Sequence, residues 1–73
     1  MIDKLSEMIK DYVEYDEPIT PETTLREDLG LSSLDLINIA VEIEDKFGIE
    51  MPDKEINGMN SMKDLLVYIE MKQ

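Results

Sequence analysis

Apolar residues recur at helical spacing in three stretches of the chain. Ile2, Leu5, Met8, Ile9, Tyr12 and Val13 mark the first, and their spacing predicts a helix over 3–14. Asp3 can cap its start, and it should end near Tyr15 and Asp16, ahead of Pro18. The strongest pattern covers residues 33–47. At about 100° of rotation per residue, Leu36, Ile39, Ala40, Ile43 and Phe47 share one face, the expected core stripe. Leu34, Ile37 and Val41 form a second, separate apolar strip. Glu44 flanks that strip on one side, and Asn38 and Asp45 flank it on the other. Asp35 and Glu42 lie further round. Gly48 closes the helix as a C′ residue.

The third stretch predicts a helix over 61–71. Met62, Leu65, Leu66 and Ile69 face inward with Tyr68 beside them, and Ser61 with Asp64 supplies a capping pattern. Before it, Pro52 and Asp53 break the chain. Asp53 can cap a short helix over 54–57 that stops at Gly58. Residues 16–31 form a long polar connection. Thr20 and Pro21 suit a single helical turn, and Ile19, Leu25, Leu29 and Leu31 can pin the segment to the core. No strand pattern competes. The expected fold is all-α: a small four-helix bundle with three main helices, one short third helix and a long first connection. Residues 1–73 are read as one domain.

The start of the second helix carries the most local detail. Gly30 allows a tight turn or a positive φ at no Cβ cost. Ser32 can act as the N-cap, and Asp35 three residues later completes a pattern close to a capping box. Ser33 is then the first helical residue, with a hydroxyl not needed for capping. It lies where unpaired N–H groups and the positive end of the helix dipole favour an anion. Two readings are open at this point. Both serines can serve the helix start alone, or Ser33 can be a point where a phosphate is held.

Charge adds to this picture. Eighteen Asp and Glu face seven Lys and Arg, a net charge of −11. Nucleic acid is excluded as a partner, because phosphate binding requires a basic surface. Partners with basic surfaces are favoured, with fast, salt-sensitive association. The 42% hydrophobic content and the clear periodicity separate the chain from disordered acidic sequences. The charged N-terminus has no signal-peptide pattern. No apolar run approaches the roughly 20 residues of a membrane span. A cytoplasmic monomer is the expectation.

Candidate chemistry is limited by what the chain lacks. It has no His and no Cys. That removes the usual general base, the thiol nucleophile and most transition-metal sites. The ligand spacing of an EF-hand is missing, and so is a Gly-rich phosphate loop. No catalytic residues and no metal site are expected. What remains is a serine at a helix start, an acidic coat, and the strip of Leu34, Ile37 and Val41. That strip is either covered by the long connection or the short helix, or left open as a contact surface.

Asp28-Leu29-Gly30-Leu31-Ser32-Ser33-Leu34-Asp35 resembles the attachment motif of acyl carrier proteins, Asp-Leu-Gly-x-Asp-Ser-Leu-Asp. The resemblance continues through Glu42 to Asp53, which is similar to that family's acidic, Phe-containing helix end and Ile-Pro-Asp turn. It implies a four-helix carrier fold and a covalent 4′-phosphopantetheine arm, attached to Ser33 from coenzyme A by a phosphopantetheinyl transferase. The arm's thiol would carry acyl groups as thioesters to acyl-transfer and chain-elongation enzymes of fatty acid, polyketide or related pathways. Asp35, Glu44 and Asp45 match acids that dock on basic patches of partner enzymes. Leu34, Ile37 and Val41 match the apolar contacts beside them. Phe47, Met51, Met59, Leu65 and Tyr68 would line an acyl-chain cavity. Ser32 departs from the motif, since Asp is usual there. Asn38 and Asn57 stand where acids are frequent, which thins the docking surface. Two alternatives are a carrier for a specialised polyketide, modified-lipid or aminoacyl pathway, and an unmodified acidic module that binds a basic partner.

Overall fold

The computed structural model describes residues 2–73. Four helices follow in order: α1 (Ile2–Lys10), α2 (Ser33–Phe47), α3 (Asp53–Asn57) and α4 (Met62–Lys72). The buried stripe of α2, formed by Leu36, Ile39, Ala40 and Ile43, is the centre of the core. Leu5, Met8 and Ile9 of α1 join the same cluster, as do Ile56 of α3 and Met62, Leu65 and Ile69 of α4. Phe47, Leu66 and Tyr68 pack against this cluster while half-buried.

α2 has the bounds its periodicity predicts. Gly48 takes a left-handed φ of 67° and its N–H donates to Glu44 O at 2.9 Å. A side chain there would be strained by the conformation itself.

α1 is shorter than the expected 3–14. It ends at Lys10, and the N–H groups of Asp11 and Tyr12 turn back to the carbonyls of Met8 and Ile9 at 3.3 and 2.9 Å. Two physical reasons account for the early end. Continuation would place Asp11, Glu14 and Asp16 at the negative end of the helix dipole. Tyr12, Val13 and Tyr15 are also weaker helix formers than the residues before them. These three side chains still pack on the core without the helix. At the other end Asp3 lies inside the first turn instead of preceding it, where its charge still meets the positive dipole end.

α3 begins at Asp53, so Asp53 is its first residue and not its cap. Pro52 takes the capping position with no side-chain bond. The Pro52 carbonyl accepts from Glu55 N and Ile56 N at 2.9 and 3.2 Å. At α4 the Asp64 carboxylate accepts from the N–H groups of Ser61 and Asn60 at 3.1 and 2.8 Å.

The connection over residues 11–32 is pinned by Leu25, Leu29 and Leu31, all buried, and by half-buried Ile19. Thr20 and Pro21 form a hydrogen-bonded turn instead of helix, with Thr23 N–H donating to Thr20 O at 3.0 Å. A second set of ties was not visible in the periodicity. Thr24 pairs with Ser61 as an isolated antiparallel bridge. Around it, Leu25 N–H donates to Asn60 O, Met62 N–H to Thr23 O and Lys63 N–H to Pro21 O, at 2.8–2.9 Å. The start of α4 is thus stitched to the loop that leads into α2. A loop of this length needs such ties, because unpaired buried backbone groups are costly.

The turn after α1 is tied to α2 by the Tyr12 hydroxyl, which donates to Glu42 Oε1 at 2.6 Å. That bond, followed by burial and the nearby charges of Glu42, Asp11 and Asp35, pushes the Tyr12 pKa from its ordinary 10 up to about 12. Between these values the unfolded chain has released the proton that the folded chain keeps. Stability therefore falls as pH rises from about 10 to about 12. Ultraviolet titration of tyrosinate should show one tyrosine ionising near the top of that window. Tyr12→Phe should flatten the loss of stability across it; an unchanged slope would remove Tyr12 as its source.

Candidate functional site

The start of α2 is built by a short chain of local bonds. Gly30 has a φ of 70°. This turn brings Leu31 N–H back to Leu25 O at 3.0 Å and points the chain into α2. Ser32 is extended, with φ −82° and ψ 171°, as an N-cap residue should be. Its Oγ accepts from Asp35 N–H at 3.1 Å, and Asp35 Oδ2 accepts from Ser32 N–H at 3.0 Å. Both halves of the capping box are therefore present. Asp28 forms a similar reciprocal pair one turn earlier: its Oδ2 accepts from Thr24 N–H, and its N–H donates to Thr24 Oγ1, both at 2.9 Å.

Ser33 follows as the first helical residue and is exposed. Its Oγ accepts a hydrogen bond from Arg26 Nη1 at 3.1 Å. The other arm of the same guanidinium, Nη2, donates to Asn57 Oδ1 on α3 at 3.3 Å. The Ser33 oxygen is thus beside a cation at the positive end of a four-turn helix. Arg26 is the residue that sequence reasoning passed over. It stands in the loop, where no periodicity relates it to Ser33. The one available signal is compositional: it is the chain's single arginine, and the only base between Lys10 and Lys46.

The strip beside Ser33 is open. Leu34 is 67% exposed and Val41 58%, while Ile37 is half-buried. The long connection does not cover Leu34 or Val41. Among the flanking acids, Asp45 is exposed. Asp35 is half-buried and held in the capping box. Glu44 is half-buried, and its Oε2 accepts from Met51 N–H at 2.7 Å, latching the link between α2 and α3. Val41, Glu42, Glu44 and Asp45 line a shallow hollow of about 430 Å³.

The residues considered for an acyl-chain cavity all belong to or border the core cluster. Met51 and Leu65 are packed in the core, and Met59 is buried with them. The Tyr68 hydroxyl donates to Glu50 O at 3.1 Å. Phe47 also borders a surface hollow of about 580 Å³ shared with Lys4, Glu7, Met8, Asp11 and Lys46. Among the described residues, no group of three or more His, Cys, Asp or Glu is placed to hold a metal ion.

The family model for the phosphopantetheine attachment site matches residues 3–69. An acyl carrier protein of Rubrobacter xylanophilus is 36% identical over 70 residues, covering 94% of this chain and 86% of that one. The chain belongs to the acyl carrier protein family. Acyl carrier proteins are carriers and not enzymes, and their prosthetic group is phosphopantetheine. The fold agrees with that of the family: the crystal structure of an acyl carrier protein from Thermotoga maritima superposes with a TM-score of 0.81 at 32% identity, over 97% of this chain and 84% of that one. The meromycolate extension acyl carrier protein of Mycobacterium leprae is 40% identical over 52 residues, which is 71% of this chain. The match spans 45% of that mycobacterial protein's length. Among the described residues of this carrier, no helix is long and apolar enough to cross a membrane.

The two adjacent serines are bonded differently, and this separates their contributions to stability. Ser32→Ala removes the cap and should cost about 1 kcal/mol in urea denaturation. Ser33→Ala removes an exposed hydroxyl and should stay within about 0.5 kcal/mol of the wild type. Equal losses would mean that the capping role is shared.

Proposed function

We propose that residues 1–73 act as one acyl carrier unit, with 4′-phosphopantetheine esterified to Ser33. The observation that supports this most is the division of labour at the start of α2. Ser32 and Asp35 satisfy the helix cap, so Ser33 keeps its oxygen exposed, next to Arg26. The residues present fit the group. A phosphodiester on Ser33 would meet the guanidinium and the unpaired N–H groups of the first helical turn. Attachment joins Ser33 Oγ to phosphorus, breaks the pyrophosphate bond of coenzyme A, releases adenosine 3′,5′-bisphosphate and frees the hydroxyl proton. The group, when bound, supplies the thiol that a chain without cysteine lacks.

On this reading the carrier is a cytoplasmic monomer. Its partners are a phosphopantetheinyl transferase and acyl-transfer and chain-elongation enzymes with basic docking patches. Leu34, Ile37 and Val41 give those partners an apolar seat. Asp35, Glu44 and Asp45 give the negative rim, within a net charge of −11 that favours steered association. The three acids contribute unequally. Asp45 is exposed, whereas Asp35 and Glu44 also hold backbone N–H groups. A specialised lipid pathway is the reading favoured over general fatty acid synthesis. The mycobacterial relatives named for meromycolate extension support it, together with Asn38 where the family often has an acid.

Incubation with coenzyme A and a broad-specificity transferase tests both parts. Intact mass should show one phosphopantetheine added to the wild type and to Ser32→Ala, and none to Ser33→Ala. The reverse pattern would overturn the site, and no addition to any form would favour an unmodified interaction module. Asp45→Lys should slow the modification several-fold at low salt and weaken its salt dependence. Unchanged kinetics would move the docking surface elsewhere. Asp45 is the cleaner probe, because replacing Glu44 would also release Met51 N–H.

A further inference from the structure

The single arginine of this acidic chain is directed at the serine of the proposed attachment site. Arg26 donates from Nη1 to Ser33 Oγ at 3.1 Å and from Nη2 to Asn57 Oδ1 at 3.3 Å. Both acceptors are neutral, although the chain carries a net charge of −11. Its sequence neighbour Asp28 is engaged elsewhere, with Oδ2 accepting from Thr24 N–H. A guanidinium is a planar fork whose donors match carboxylate or phosphate oxygens, and its bonds to ionised acceptors are about twice as strong as neutral ones. A hydroxyl and an amide oxygen leave much of that capacity unused.

We propose that Arg26 is a positioning residue for the modified serine. It orients Ser33 Oγ before loading and holds the phosphodiester afterwards. This rests on Ser33 being the attachment point. Esterification turns Oγ into an ester oxygen, which is a poorer acceptor. It also brings two non-bridging oxygens that share one negative charge, on the phosphorus bonded to Oγ. Nη1 therefore exchanges a neutral acceptor for an anionic one nearby. The bond from Nη2 to Asn57 anchors the guanidinium plane between α2 and α3, so loading also tightens the link between those helices. Asn57 matters because it is neutral. An acid at that position would pair with Arg26 and compete with the phosphate.

The test compares loaded and unloaded forms of the wild type, Arg26→Gln and Asn57→Asp, after intact mass and fragmentation confirm one group on Ser33 in each. The readouts are the thermal midpoint and the 31P resonance of the loaded protein. Loading should raise the wild-type midpoint by about 2–4 °C more than that of Arg26→Gln. The added salt of a concentrated buffer should reduce the difference. The 31P resonance of Arg26→Gln should move away from the wild-type position. Asn57→Asp keeps the arginine, so it decides the matter even where Arg26→Gln folds poorly. It should raise the unloaded midpoint and shrink the gain on loading to less than half. Equal gains in all three proteins with coincident 31P signals would overturn the proposal, as would equal losses in the loaded and unloaded forms of Arg26→Gln, which would make Arg26 a strut only. A group found away from Ser33 would instead sink the attachment reading, and the mass data alone would reveal it.

Discussion

The reciprocal bond between Ser32 and Asp35 is the constraint on which the rest of this carrier depends. It satisfies the first orphan N–H groups of α2 and sets the residue at which the helix begins. The apolar spacing of residues 34–47 then decides which of its faces is buried. With α2 starting at Ser33, Leu36, Ile39, Ala40 and Ile43 face the core, while Leu34 and Val41 face solvent. The same bond frees Ser33 from capping. One local hydrogen-bond pair thus fixes where the helix begins and leaves Ser33 with an exposed hydroxyl.

Much of this was legible because it is local. The capping pattern, the C′ glycine and the two strips of α2 are each written within a few residues, and the bounds of α2 follow from them. The end of α1 was not legible from its apolar spacing. Tyr12 and Val13 still pack against the core as their spacing predicts, yet the backbone leaves the helix at Lys10. Side-chain phase reports burial, whereas the dipole and the propensities of Asp11 to Asp16 decide where the helix stops. The bridge between Thr24 and Ser61 and the reach of Arg26 to Ser33 and Asn57 join segments distant in sequence. No periodicity records such contacts. The motif resemblance pointed to Ser33, but it begins at Asp28 and has no counterpart for the arginine beside it.

Acidity has two uses in this fold, and they draw on different residues. Asp28, Asp35, Glu44 and Asp64 spend their oxygens on backbone N–H groups at turns and helix starts. Asp45 is exposed beside the apolar strip, and on the proposed reading it is available to a partner's charge. A count of carboxylates cannot separate these groups; their hydrogen bonds do. The same distinction applies to the serines. Ser32 and Ser33 have the same chemistry, and only the bonds around them assign one to structure and leave the other available.

The central claim is this assignment, and the wild-type protein can test it without substitution. Loaded enzymatically, then fragmented in the mass spectrometer with the phosphodiester intact, it should carry the whole added mass on Ser33, with none on Ser32. Any substantial fraction on Ser32 would contradict the account, because that hydroxyl is committed to the helix cap.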